Sequence, residues 1–421
     1  MAYIREGLPG ACKGLPMTTA PAAPLTGIRV LEIGNFMAGP FCAMNLADLG
    51  ADVVKVENPD GGDVVRNTGP FLDGESSNFI RLNRNKRSLA IDLKHETGKE
   101  LFRTLAARAD IVVENLRPGT MRSLGLDYAA LSALNPRLIY VAASGWGQDG
   151  PYASHAGLDI MAQAMSGLMS ITGEEGRPPV KAGVPMCDLA CALYGALGAV
   201  SALHARERTG RGQLIDVSLL EAGVSFAVWE SGEYFGSGAI PRRHGSAHQA
   251  TAPYQALRSA DGYFVAGATT PKTWVAFCKV LGIESLVDDP RFTQPHLRHT
   301  NLAELLPLIE AVTVTKPSRA WVDALQTAGV PCEMLQDFGQ VFNDPHLLAR
   351  NYFADVPHAK LGAVRVNGSP MRFSETPVHM HRAGPMLGED TAAVLGEIGL
   401  SAGEIASLGE RGIVAGPAVL S

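Results

Sequence analysis

The chain has 421 residues, of which 46% are hydrophobic and 19% are charged, and its formal net charge is −6. This composition is typical of a globular protein with a large apolar core and excludes an intrinsically disordered chain. A negative net charge also argues against binding to nucleic acid or to an anionic membrane, because such proteins need a basic face.

The cysteines and apolar runs give no sign of an extracellular or membrane protein. Six cysteines are too sparse for a disulfide scaffold. Cys187 and Cys191 lack the C-x-x-C spacing of a redox or zinc motif, so we expect free thiols in a cytoplasmic protein. No uncharged apolar run of about 18 residues predicts a membrane span. The Ala- and Gly-rich run at 189–203 ends in charged residues and predicts a buried helix.

The N-terminal segment carries charges and prolines but no apolar stretch, so it does not resemble a signal peptide. Met17 begins a segment that resembles a natural start, and we regard residues 1–16 as an upstream extension. We expect residues 1–24 as a whole to be a disordered extension.

Short apolar strands alternate with helices through the first third of the chain. Strands are predicted at 28–33, 52–57, 88–94, 110–115 and 138–143, with helices at 43–49 and 97–108. This alternation predicts an α/β fold with a doubly wound parallel sheet, covered by helices on both faces. Ligands of such sheets bind at the carboxyl ends of the strands.

The loop after the first strand does not contain a dinucleotide fingerprint. It has Gly34 and Gly39 but no G-x-G-x-x-G, and Pro40 stands where the helix of that motif would begin. A NAD-dependent dehydrogenase is therefore not predicted, and the chain also lacks a P-loop.

Further along, a glycine-rich loop at 145–157 precedes a predicted helix at 159–169. A long helix begins within a turn of Pro185, and Arg206 and Arg208 lie in its last turn, because Gly210 just beyond supplies a C-terminal stop signal. A separate α+β unit is predicted from 251 to about 345. Short strands at 353–374 and two short helices complete the chain.

Asp188 is the candidate catalytic residue in this pattern. It is an acidic residue in the first turn of a long apolar helix. One interpretation is a capping aspartate, which many helices have. The other is a nucleophilic carboxylate that the positive helix terminus keeps ionised and that forms a covalent intermediate. Position in the sequence leaves both interpretations open.

The sequence contains no other recognisable catalytic or metal-binding motif. The histidines form no H-E-x-x-H or Cys/His zinc pattern, so no metal site is predicted. Ser144 stands in "ASGWG", which departs from the G-x-S-x-G nucleophile elbow.

Several long motifs carry a family resemblance that covers about residues 25–414. They include "GIRVLEIGNFMAGPFCAMNLADLGADVVKVE", "LNRNKRSLAIDLK", "VENLRPG" and "PVKAGVPMCDLACALYGALGAV". In this order they resemble the class III coenzyme A (CoA) transferases, the family of formyl-CoA transferase and carnitine CoA-transferase.

The resemblance implies an interlocked homodimer and a division of each chain. A large doubly wound (Rossmann-like), CoA-binding domain would begin at 25–224. A small α+β domain with its linkers would occupy 225–345, and residues 346–421 would return to the large domain.

The resemblance also implies a mechanism in which Asp188 attacks the donor thioester. A mixed anhydride would become an aspartyl-CoA thioester, from which CoA passes to an acceptor acid. CoA is then a substrate, and no permanently bound cofactor is expected. The implied CoA contacts are Met37, Ala38, Arg66, Ile91, Asp92, Lys94, Asn115, Leu116 and Arg117.

Two alternatives stay open beside this expectation. The family contains α-methylacyl-CoA racemases, in which a histidine precedes the aspartate matching Asp159, but the residue here is Leu158, which cannot exchange a proton. The other alternative is a non-catalytic CoA-binding paralogue, against which Asp188 argues.

The middle of the chain is similar to the succinyl-CoA:glutarate CoA-transferase branch, which implies a small, dicarboxylic acceptor. Asp159, Gly245 and His248 are the implied substrate contacts. The basic run from Arg242 to His248 either pairs with a distal acceptor carboxylate or lines a linker.

Overall fold

A computed structural model describes residues 22–419, and most of the predicted extension at 1–24 lies outside these residues. The strands are β1 (Arg29–Ile33), β2 (Asp52–Glu57), β3 (Phe71–Leu72), β4 (Glu75–Ser76), β5 (Lys86–Ile91), β6 (Ile111–Glu114), β7 (Ile139–Ser144), β8 (Leu214–Ser218), β9 (Tyr254–Ser259), β10 (Gly262–Gly267), β11 (Cys332–Met334), β12 (Phe353–His358), β13 (Gly362–Asn367) and β14 (Val414–Ala415).

The helices are α1 (Ala38–Asp48), α2 (Ser77–Leu82), α3 (Glu96–Ala106), α4 (Thr120–Leu124), α5 (Tyr128–Leu134), α6 (Asp159–Met165), α7 (Leu168–Ile171), α8 (Met186–Thr209), α9 (Leu219–Val224), α10 (Val228–Ser237), α11 (Pro271–Leu281), α12 (Pro295–Thr300), α13 (Leu302–Thr313), α14 (Ser318–Thr327), α15 (Phe338–Val341), α16 (Pro345–Ala349), α17 (Thr391–Glu397) and α18 (Ala402–Glu410).

A seven-stranded sheet in the order β14-β5-β2-β1-β6-β7-β8 organises the larger part of the chain. Neighbouring strands from β5 to β8 run parallel, which confirms the predicted parallel-dominated α/β sheet. The edge strand β14 departs from that pattern, because Val414 pairs antiparallel with Ile91. The sheet also gains β8, for which the sequence analysis made no prediction.

Apolar cores lie on both faces of this sheet. Successive residues of a strand point to opposite faces, so Val30 and Leu31 belong to different cores. The Leu31 face is covered by α3, α5, α17 and α18, and the C-terminal helices therefore pack on the same sheet as the first strands. Helices α1 and α8 cover the Val30 face.

Close packing explains why α8 is rich in alanine and glycine. An added Cβ on Gly195 would come within 3.2 Å of Cys42 Sγ and of Val141, so α8 packs closely against α1 and β7. Within the described residues, α8 is the one helix whose length and hydropathy would suffice to cross a membrane. Four of its alanines lie in the core described above: Ala192, Ala196, Ala199 and Ala202.

A second, three-stranded sheet in the order β11-β10-β9 has its own core between α11, α13 and α14. Phe264, Trp274 and Trp321 are almost fully buried there. The α+β unit predicted from 251 to 345 thus has the expected elements. The domain limits at 225 and 345 stay predictions.

Candidate active site

A cavity of about 920 Å³ opens at the carboxyl ends of β1, β6 and β7. The N-terminal ends of α1, α6 and α8 face it, and Asp188 lies in its wall. This is the edge at which a doubly wound sheet binds its ligands. Most of the other wall residues are apolar, among them Phe36, Met37, Phe41, Met44, Leu158, Leu189 and Leu219.

The loop between β1 and α1 is held in one conformation by Asn115. Its Oδ1 accepts a hydrogen bond from the Asn35 N–H at 2.9 Å, and its Nδ2 donates to the Asn35 carbonyl at 2.8 Å. Side chains at Gly34 or Gly39 would collide with this amide, because an added Cβ would lie 2.9 or 2.8 Å from its oxygen. The two glycines therefore allow the loop to approach β6.

Buried lysines also bind the backbone of this loop and of the start of α1. Lys55 Nζ lies 2.7 Å from Glu32 Oε1 and 2.9 Å from Asp63 Oδ2, and it donates to the Gly34 carbonyl at 2.7 Å. Lys86 Nζ lies 2.7 Å from Glu32 Oε2 and donates to the Pro40 carbonyl at 2.8 Å. Both lysines are fully buried, so the cavity floor rests on an ion-pair network.

Asp159, not Asp188, caps the N-terminus of α8. Asp159 Oδ1 accepts hydrogen bonds from the backbone N–H groups of Cys187 at 2.9 Å and Asp188 at 3.3 Å. Its Oδ2 accepts from Gln163 Nε2 at 2.6 Å. Within the described residues the Asp188 carboxylate accepts no hydrogen bond, so its oxygens are available to a ligand. The capping interpretation of Asp188 is therefore wrong in this structure.

The Asp188 carboxyl is also less acidic than the sequence suggested. Burial raises its pKa to about 7, and the Asp159 carboxylate adds to the shift. The expectation that the helix terminus keeps Asp188 ionised needs correction, because Asp159 occupies the first N–H groups of that helix. A more basic carboxylate is a stronger nucleophile once it is ionised.

The neighbouring thiols do not compete as nucleophiles. Burial raises the pKa of Cys187 to about 11, with Asp159 as the next cause. Burial likewise raises the pKa of Cys191 well above its ordinary value. A thiol reacts as its thiolate, so both cysteines are inert at neutral pH.

The structure brings five of the predicted site residues together around this cavity: Met37, Ala38, Asn115, Asp159 and Asp188. Lys94 and Arg117 are exposed just beyond the carboxyl ends of β5 and β6, and neither forms an ion pair within the described residues. Asp92 accepts a hydrogen bond from the Lys94 N–H at 2.8 Å. Ile91 is buried and pairs with Val414 in the sheet, and Leu116 packs against the core while its N–H donates to Glu114 Oε2 at 2.7 Å.

Arg66 occupies a different place from the one predicted. Its Nε and Nη2 donate to the two Glu57 carboxylate oxygens, each at 2.7 Å, and Nη1 donates to the Pro385 carbonyl. Its guanidinium also stacks 3.6 Å from the centre of the Phe79 ring. Arg66 therefore supports the fold and has no donor edge to offer to a phosphate.

Gly245 and His248 do not line the cavity of their own chain. The Gly245 N–H donates to the Gly173 carbonyl at 2.9 Å, and the His248 ring packs 5.3 Å from the Tyr254 ring. Arg243 donates to the Arg177 carbonyl at 2.6 Å. Within one chain, this loop therefore contacts the segment that precedes α8, and its residues Gly245 and His248 lie outside the cavity wall.

The cavity wall also includes residues that the sequence analysis missed. Asn35 and Phe36 follow β1, Arg81 lies on α2 and Lys181 precedes α8. Phe36 has a positive φ of 61°, which a non-glycine residue seldom adopts. Sequence spacing gave no signal for Arg81, because it stands far from Asp188 along the chain.

Comparison with known proteins agrees with this geometry. Residues 25–391 match the model of CoA-transferase family III. A succinyl-CoA:glutarate CoA-transferase of Mus musculus is 38% identical over 89% of this chain and 86% of its own length. A succinate–glutarate CoA-transferase of Agrobacterium fabrum is 38% identical over 89% of this chain and 96% of its own.

A solved structure shows the same fold. The crystal structure of a CAIB/BAIF family protein from Brucella suis superimposes with a TM-score of 0.81 and is 38% identical, covering 90% of this chain and 100% of its own. The family match extends over most of the chain, and the Mus musculus and Agrobacterium fabrum relatives are named as CoA-transferases. The chain therefore belongs to CoA-transferase family III and is a CoA-transferase.

Proposed function

We propose that this enzyme moves CoA from a donor such as succinyl-CoA to a small dicarboxylic acid through a covalent thioester on Asp188. The observation that carries the proposal is the Asp188 carboxylate itself. It accepts no hydrogen bond from the described residues and lies in the wall of a mostly apolar cavity at the ligand-binding edge of the sheet.

In the first half-reaction, an Asp188 carboxylate oxygen attacks the donor thioester carbon. The carbon–sulfur bond breaks, CoA leaves as a thiolate, and a mixed anhydride joins Asp188 to the donor acyl group. The thiolate then attacks the Asp188 carbonyl carbon, releasing the donor acid as a carboxylate and leaving an aspartyl-CoA thioester.

The second half-reaction reverses these steps with the acceptor. The acceptor carboxylate attacks the aspartyl thioester, CoA leaves as a thiolate, and the thiolate attacks the acceptor carbonyl carbon to regenerate Asp188. No proton is gained or lost overall. The apolar wall suits this chemistry because an anhydride survives only where water is excluded.

Three further observations support the proposal. The relatives quoted above are named for succinyl-CoA and glutarate or succinate, which are dicarboxylic acids or their thioesters. Lys94 and Arg117 are exposed just beyond the carboxyl ends of β5 and β6, without an ion-pair partner among residues 22–419, as cations that bind CoA phosphates would be. Leu158 in the wall offers no proton, which disfavours a racemase.

Trapping with hydroxylamine tests the proposal. Wild-type enzyme incubated with succinyl-CoA and hydroxylamine should acquire a hydroxamate on the peptide that contains Asp188, because hydroxylamine attacks the activated carboxyl. Mass spectrometry of the digested protein reads the modification, and Asp188→Ala is the control that should lack it. An unmodified peptide with several acyl-CoA donors would contradict the covalent mechanism. Solvent deuterium exchange into the thioester would then indicate an isomerase.

We also propose that two copies form an interlocked homodimer, with the cavity at the interface between them. Helix α10 has no buried residue in the single chain. It leaves Val228, Trp229 and Phe235 at 68%, 74% and 83% exposure, and Leu197 on α8 is 62% exposed. Apolar surface of this size is typical of an interface.

Sedimentation equilibrium should accordingly give about twice the chain mass of 44.5 kDa. Trp229→Glu and Phe235→Glu should shift the protein towards the monomer, because each would place a charge in the apolar interface. A wild-type monomer at micromolar concentration would contradict the dimer.

A further inference from the structure

Three cationic side chains line the cavity: Arg81, Arg84 and Lys181. Arg84 is neutralised, since its Nη2 lies 2.5 Å from Asp48 Oδ2 and its Nε donates to Asp48 Oδ1 at 3.2 Å. Lys181 is exposed and, in the part of the chain that the structure describes, donates only to the carbonyl of its neighbour Ala182. Arg81 differs from both, because it is half-buried and its charge is not balanced.

Among the described residues, the guanidinium of Arg81 forms hydrogen bonds through only one of its nitrogens. Nη1 donates to the Ser77 carbonyl at 2.9 Å and to Ser77 Oγ at 2.5 Å. Within residues 22–419, no carboxylate lies in ion-pair distance of Arg81, and its Nε and Nη2 meet no acceptor. The free edge of the guanidinium therefore remains available to a ligand in the cavity.

The helix that carries Arg81 is firmly anchored. Ser76 caps α2, accepting a hydrogen bond from the Phe79 N–H at 3.2 Å, and Phe79 is 2% exposed beneath the Arg66 guanidinium. Because the Ser77 contacts also fix the guanidinium, little conformational entropy is lost when Arg81 binds a ligand. The residue is preorganised in the wall.

A half-buried guanidinium without a carboxylate partner is less stable than a paired one, and an anionic ligand supplies the missing charge. Its Nε and Nη2 point along one edge, and this pair of N–H donors matches the two oxygens of a carboxylate. A dicarboxylic acid has one carboxylate that reacts at Asp188 and a second that stays ionised. The second carboxylate needs a cation in this apolar cavity.

We propose that Arg81 binds the unreacted carboxylate of the dicarboxylic acyl group, and that it makes the enzyme select dicarboxylic over monocarboxylic acids. The proposal rests on the function proposed above, and it assigns to Arg81 the choice of substrate without any part in the bond exchange at Asp188.

Isotope exchange tests this role with a matched pair of acids. Exchange of labelled succinate into succinyl-CoA and of labelled butyrate into butyryl-CoA uses acids of equal carbon number, of which only succinate has a second carboxylate. Arg81→Met should lower kcat/KM for succinate exchange by about 10- to 100-fold, the loss expected when a charged hydrogen bond is removed. Butyrate exchange should change less than about twofold, and Arg81→Lys should restore part of the succinate rate.

Lys181→Met is the competing variant, because Lys181 is the other cation of the wall that has no carboxylate partner among residues 22–419. A selective loss of succinate exchange in Lys181→Met, or an equal loss for both acids in Arg81→Met, would overturn the assignment. Hydroxylamine trapping separates the two proposals. A hydroxamate on Asp188 with unchanged acid selectivity in Arg81→Met refutes only the role of Arg81, whereas its absence from wild-type enzyme refutes the covalent mechanism.

Discussion

Asp188→Asn should lower the rate of CoA transfer by about 10⁴-fold or more, because an amide cannot form the anhydride or the thioester. The substitution keeps the size of the side chain and leaves the Asp159 cap in place. The measurement is steady-state transfer from succinyl-CoA to glutarate, with CoA binding measured separately. Retained binding together with lost turnover identifies Asp188 as the nucleophile. A loss smaller than about tenfold would contradict that assignment.

The same variant should be more stable than the wild type in neutral and alkaline solution. The Asp188 pKa is raised from 3.8 to about 7 in the folded chain. Between these two values the unfolded chain releases a proton that the folded chain retains, so wild-type stability falls as pH rises and is lowest above about 7. Removal of the ionisable group avoids at most on the order of 4 kcal/mol. The gain in unfolding temperature of Asp188→Asn should therefore be larger at about pH 8 than at about pH 5.

The same pKa predicts the acid limb of the rate profile. Only the ionised carboxylate attacks, so wild-type transfer should decline as pH falls through about 7. Asp159→Asn keeps an acceptor for the Cys187 N–H but removes the negative charge that helps to raise the Asp188 pKa. The rate of this variant should therefore decline at a lower pH than that of the wild type. The limb should not reach the pKa of a free aspartate, because burial is the larger cause.

Local patterns in the sequence were sufficient to predict most of the parallel strands and the place of Asp188 in the first turn of a helix. The apolar runs that became β1, β2 and β6 are short, buried on both faces and separated by helices, which is a pattern that parallel strands share. Pro185 predicted the start of α8 to within a turn, and Gly210 directly follows its last residue, Thr209. Asp188 was therefore placed in a first turn at the ligand-binding edge.

Contacts between distant residues could not be predicted in this way. Asp159 reaches the N-terminus of α8 from another helix, so nothing near Asp188 in the sequence reveals its cap. Arg66 follows a glycine-containing turn in the sequence, which suggested a residue that binds phosphate. In the structure the chain folds back after β2, and Arg66 pairs with Glu57 instead. Charge alone does not tell a solvated cation from a paired one, because pairing depends on which carboxylate the fold brings near.

The buried network beneath the cavity is the clearest case of such long-range pairing. Lys55 lies in the middle of β2, where a parallel strand ordinarily has an apolar residue. Burial lowers the pKa of Lys55, but the carboxylates of Glu32 and Asp63 outweigh it and raise the pKa overall. Lys55 therefore stays charged, and its three contacts connect β1, the cavity loop and the turn after β2.

Lys55→Met should destabilise the protein by about 3–5 kcal/mol, the cost of breaking a buried ion pair from one side. The methionine fills a similar volume, so the loss comes from charge and not from a void. Asp63 would lose its cationic partner, Glu32 would keep only Lys86, and the Gly34 carbonyl would lose its donor. Urea unfolding followed by circular dichroism measures the change. Because the same carbonyl fixes the cavity loop, CoA binding should weaken as well.

Lys360→Met is a matched control, since it removes a lysine that pairs with Glu75 at 3.3 Å near the protein surface. Exposed pairs of this kind contribute little, so the control should cost less than about 1 kcal/mol and leave CoA binding unchanged. If Lys55→Met cost no more than the control, the network would not support the loop. The strained backbone at Phe36, whose N–H lies 3.4 Å from Asp63 Oδ1, would then need another source of support. If the predicted loss is found, the loop at the cavity depends on charges that are fully buried in the protein.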